Sequence, residues 1–69
     1  MNYKEWTYLE FMKEMGDKMY EAETEGRDYF MIAESFYVDI KDTIKEKAKK
    51  FYNFQYMPGR FLYRVTVKS

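Results

Sequence analysis

The sequence predicts one small α+β domain, two helices followed by a C-terminal β-hairpin packed on them, and three features of its 69 residues carry that expectation. Apolar residues recur at three- and four-residue steps through the first part of the chain. The same period continues through the middle, and it gives way to a two-residue alternation near the end. A chain this short has room for a single core, so the domain is expected to span residues 1–69.

The first helix is expected from residue 3 to about residue 24, where Tyr8, Phe11, Met12, Met15, Met19 and Ala22 share one face. Gly26 then supplies a helix C-terminus and Asp28 the next N-cap, so a turn belongs between them. From there Ala33, Phe36, Tyr37, Ile40, Ile44, Ala48 and Phe51 again fall on one helical face, which predicts a mainly helical stretch from about 28 to 50. The opening run Tyr29-Phe30-Met31-Ile32 is apolar on every side. It therefore also fits an extra short strand at about 29–33, followed by a helix capped at Asp39.

At the end of the chain Phe61, Tyr63, Val65 and Val67 alternate with Leu62, Arg64, Thr66 and Lys68, the pattern of a half-buried strand. Met57-Pro58-Gly59-Arg60 precedes it as a type II turn, with Pro fixing the first central dihedral and Gly accepting positive φ at the second. With Met57 opposite Arg60, the expected pairs are Tyr56 with Phe61, Phe54 with Tyr63 and Tyr52 with Val65. One face of the hairpin is then nearly all aromatic, and it needs the helices, a partner or a ligand to cover it.

Composition excludes several function classes. With no Cys and no His, disulfides, thiolate nucleophiles, imidazole general bases and most transition-metal ligand sets are absent. Ser35 has no Gly-flanked elbow, Gly16, Gly26 and Gly59 are isolated, and the carboxylates form no calcium loop, so no catalytic residue, metal ligand or cofactor site is expected. The start, Met1-Asn2-Tyr3-Lys4-Glu5, leads into charged periodic sequence with no apolar run of signal-peptide or membrane-span length, and the expected location is the cytoplasm, away from membranes. Fifteen aromatic residues and six Met, against few branched aliphatics, make the core one of rings and thioethers. The dominance of Lys, Tyr, Phe, Met, Ile, Asn, Asp and Glu suits an AT-rich coding sequence.

Charge is the most informative feature. Residues 1–40 hold four Lys or Arg against ten Asp or Glu, a net of −6, whereas residues 41–69 hold eight against two, a net of +6. Within the acidic part Glu10, Glu14, Asp17, Glu21 and Glu25 step by three or four residues and stack on one side of the first helix, roughly opposite its apolar face. Carboxylates so spaced repel by about 0.2–0.5 kcal/mol per pair, so helix stability alone does not favour the stripe. It reads as a partner-binding column offered to a basic protein surface. Lys13 and Lys18 partly neutralise it, which is also what an ordinary solvated face shows.

The basic part gives the alternative. Lys41, Lys45 and Lys49 line one side of the second helix, and Tyr56, Arg60, Tyr63 and Arg64 set rings beside cations on the hairpin, as single-stranded nucleic acid requires. Against it, the same rings are needed for the core, and zero net charge attracts phosphate weakly. The expectation is thus a small non-enzymatic binding protein that occupies a surface of a protein partner, in the manner of phage or mobile-element inhibitors of host factors. The second reading is a nucleic-acid module, and self-association into a homodimer is expected as a background property of a short, ring-rich chain.

Overall fold

The computed structural model describes residues 3–68. A 3₁₀ turn at Tyr3–Glu5 leads to α1, Tyr8–Thr24, so the first helix starts later than its periodicity suggests. Thr7 sets that start. Its extended backbone halts the helix, its hydroxyl accepts from the Glu10 amide at 3.2 Å, and the Glu10 carboxylate accepts from the Thr7 amide at 2.8 Å. Phe11, Met15, Met19 and Ala22 point inward and are buried. Gly26, at φ +80°, ends the helix: its amide donates to Glu23 and the Arg27 amide to Ala22, the paired bonds that close a last turn on a left-handed residue.

Residues 28–50 are not one helix. They form β1, Tyr29–Ala33, then α2, Glu34–Asp39, and α3, Asp42–Ala48. The strand anticipated as the second reading of the apolar run is present, with Phe30 and Ile32 buried and Tyr29 and Met31 half-exposed in strict alternation. Asp28 consequently precedes a strand instead of capping a helix, and Asp39 ends α2 instead of capping α3. Ile40 and Lys41 are extended, with ψ of 141° and 142°, and separate the two short helices. The helical-face pattern still selected the right interior, because Phe36, Tyr37, Ile40, Ile44 and Ala48 are buried, while Ala33 and Phe51 are exposed.

The hairpin comprises β2, Tyr52–Met57, and β3, Leu62–Val67. Its turn has the expected chemistry: the Arg60 amide donates to the Met57 carbonyl at 3.2 Å, and Gly59 sits at φ +81°. One more residue, Phe61, comes next in the left-handed region at φ 57°. The loop is longer than the expected one, and the register slides by two residues, pairing Tyr56 with Tyr63, Phe54 with Val65 and Tyr52 with Val67. A slide of two leaves each side chain on its anticipated face.

β1 joins the other edge of β3, giving an antiparallel sheet of order β1-β3-β2. Its inner face carries Phe30, Ile32, Tyr52, Phe54, Tyr56, Tyr63 and Val65 against the helices. Rings make most of the seam: Tyr37 lies 4.2 Å from Tyr63 and 5.1 Å from Phe54, and Phe11 stacks on Phe36 at 5.8 Å, all between ring centres.

The main-chain bonds identify the free edges. The Glu34 amide donates to Phe61 and the Lys68 amide to Phe51, each extending one ladder by a position. Because antiparallel strands direct alternate residues to alternate neighbours, Phe30 and Ile32 bond β3 and leave the N–H and C=O groups of Tyr29 and Met31 on the outer edge of β1. There the Tyr29 carbonyl accepts from the Arg27 guanidinium at 3.3 Å, and among the described residues Met31 has no main-chain partner. By the same count Asn53, Gln55 and Met57 bond β3, and Tyr52, Phe54 and Tyr56 face outward from β2.

Candidate protein-binding surface

Four carboxylates of the stripe, Glu10, Glu14, Asp17 and Glu21, lie on one flank of α1, and Glu25 follows as its C-cap. At ~100° per residue the four centre roughly 120° from the buried set, so they stand beside the apolar face and not opposite it. That rotation gives them a neighbour. Glu14 and Lys18 border a shallow depression with Met31 and Ala33 of β1, and Lys18 and Glu21 border a second with Met31 and Arg27. The acidic flank therefore runs along the free edge of β1, where the Met31 amide and carbonyl are left over from the sheet.

Most of these carboxylates already have local roles. Glu10 closes the N-terminal cap of α1. Glu14 pairs with Lys18 at 3.5 Å, Asp17 with Lys13 at 2.8 Å and Glu25 with Arg27 at 2.6 Å, whereas Glu21 forms no ion pair among the described residues. Exposed pairs of this kind contribute about 0.2–1 kcal/mol each and dissolve readily when a better partner arrives. The Lys13 ammonium is held above its ordinary pKa, first by its hydrogen bond to Asp17 and then by that carboxylate's charge.

The four hairpin residues are not brought onto one surface. Tyr56 and Tyr63 are neighbours on the inner face, 5.2 Å between ring centres, where Tyr63 packs on Tyr37. The Tyr56 hydroxyl donates to Glu34 at 2.8 Å, and this bond raises its pKa above the ordinary tyrosine value. Arg64 points to the opposite face, with its guanidinium 4.6 Å from the ring centre of Tyr29, which Arg27 also approaches at 5.6 Å. Arg60 sits in the turn. Two lysines of the basic stripe are engaged as well, Lys45 with Asp42 and over the Tyr37 ring, Lys49 with Glu46.

Periodicity did not identify Met31 and Arg27 as part of the acidic surface. The one signal was the all-round apolar run at Tyr29, which fits a strand; that this strand is an edge beside α1 is set by its distant pairing with β3. Among the described residues no helix is long and apolar enough to cross a membrane, and no cluster of carboxylates is arranged to hold a metal ion. Comparison with family models, curated proteins and solved structures finds no match for this chain.

Proposed function

We propose that this chain is a small non-enzymatic binding protein that lays the acidic flank of α1, with the β1 edge beside it, on a basic surface of a protein partner. The observation that carries the reading is the juxtaposition of Glu14 and Glu21 with the unpaired backbone of Met31. An extended segment of the partner adding to β1 gains main-chain hydrogen bonds at Met31, and its Lys or Arg side chains reach the carboxylates. Complementary charge then sets register and speeds encounter more than it adds affinity. Such a protein acts by occupancy, excluding whatever else uses the basic surface.

The test is charge reversal. Glu14→Lys, Asp17→Lys and Glu21→Lys together should abolish capture of the partner from extracts of the source cell, with the circular dichroism spectrum unchanged, because all three side chains lie outside the core. Arg60→Ala with Arg64→Ala should leave capture intact. The opposite pattern, or anisotropy showing micromolar binding of labelled single-stranded DNA or RNA that survives the α1 substitutions, would refute the proposal in favour of nucleic acid.

A further inference from the structure

We propose that two copies of this chain join through β2, each strand pairing antiparallel with its own copy, so that two three-stranded sheets become one continuous sheet. Among the described residues the β2 edge is unpaired at Tyr52, Phe54 and Tyr56, and the strand itself lacks the charge, proline and bulge that normally block such an edge. The rings of Tyr52 and Phe54 are only partly covered and Tyr56 is 41% exposed, because no strand lies outside them.

A twofold axis at Phe54 makes this edge self-complementary. Tyr52 then faces Tyr56 of the second copy and Phe54 faces itself, each donating and accepting one main-chain bond. On the outer face Asn53 meets Gln55 of the second copy, amide to amide, and the exposed Phe51 meets Met57. Charges at the two ends also match. Lys49 and Lys68 flank the start of β2, while Glu34 is bonded to Tyr56 near its end, so antiparallel pairing sets the lysines of one copy toward the carboxylate of the other. Zero net charge adds no repulsion between copies. The β1 edge differs. Glu14, Lys18 and Glu21 border it, and charge beside an edge discourages further strand addition by like copies, so the assembly closes at two.

Two double variants test the pairing, and both place a carboxylate at position 55 opposite Arg64 of the same chain, so they differ only at position 53, which faces the neutral Thr66. Sedimentation equilibrium at micromolar concentration should give twice the 8.6 kDa chain mass for the natural sequence. Asn53→Glu with Gln55→Glu sets like charges across the axis and should give the single-chain mass. Asn53→Lys with Gln55→Glu sets opposite charges there and should restore the double mass. Independently of any variant, raising the concentration should slow amide exchange at Tyr52, Phe54 and Tyr56 and leave Met31 fast. A monomeric natural chain, two variants of equal mass, or concentration-dependent protection at β1 and not β2 would each overturn the proposal.

Discussion

Replacing Phe61 tests the chain reversal at its least regular point, because there the usual order of Ala and Gly should invert. Phe61 sits at φ 57°, where an L-residue costs about 1–2 kcal/mol through its Cβ. Its ring is 70% exposed, and the bond from the Glu34 amide is to its main-chain carbonyl, so truncating the side chain removes little packing and no hydrogen bond. Phe61→Ala keeps the Cβ penalty. Phe61→Gly removes it and adds about 0.5–1 kcal/mol of unfolded-state entropy. The difference favours Gly over Ala by roughly 0.5–1 kcal/mol, and at about 4–8 °C per kcal/mol for a domain of this size it corresponds to a Tm higher by roughly 2–8 °C. Glu23 in α1 is the control, exposed and helical, where Ala should exceed Gly by about 1 kcal/mol. Thermal unfolding of the four variants decides it. An Ala variant at position 61 as stable as the Gly variant would mean that the left-handed conformation carries no strain there.

Phe11→Ala, at a fully buried ring packed on Phe36 and Phe54, should cost about 3–5 kcal/mol, against roughly 3–10 kcal/mol in total for a chain of this length. Urea titration should therefore find its midpoint sharply lowered, and a loss under 1 kcal/mol would contradict its place in the core. At alkaline pH the hydroxyls of Tyr37 and Tyr52 are both raised above the ordinary value, first by burial. A raised folded pKa means that the folded state holds its protons longer, so this stability is fully present below pH ~10 and is lost as pH rises through the displaced values. Urea midpoints should be level from pH 8 to about 9.5 and fall above 10, and a midpoint that holds or rises above pH 10 would show those hydroxyls to be solvated.

Features fixed by local sequence were legible and those fixed by distant pairing were not. The buried set of α1, the Gly26 terminus and the Pro58-Gly59 turn each depend on residues within a few positions. The run from Tyr29 to Ile32 is apolar on every side, so its helical or extended state is decided by β3, more than thirty residues away. The hairpin register failed on Phe61, since nothing in a Pro-Gly signal announces a left-handed phenylalanine after it. For the candidate sites the failure was of a different kind. Tyr63 and Arg64 are consecutive in a strand and so must point to opposite faces, which already separates the rings from one of the cations that a nucleic-acid site would need. Likewise, the angular offset of the α1 carboxylates was readable from their spacing, but the strand edge they face was not, because the strand itself was one of two readings.

The two free edges are treated differently, and the difference bears on how the protein would act. β1 and β2 lie on opposite sides of β3, so a dimer formed through β2 leaves both acidic flanks pointing away from the axis. Five inter-strand steps at about 4.8 Å place the two β1 edges roughly 24 Å apart. On the proposed reading each edge would then be a complete docking surface, with its own carboxylates and its own Met31 backbone, and neither would need the other to bind. A partner offering one basic surface would meet monomer and dimer with equal affinity. A partner that is itself twofold, with basic surfaces at that spacing, would be held at both ends, and the second contact forms at an effective concentration set by the rigid sheet between them. The sheet's rigidity would make the spacing selective: a flexible tether tolerates many separations, whereas a continuous six-stranded ladder would admit few. Dimerisation would thus add discrimination between partners without adding a residue to the site.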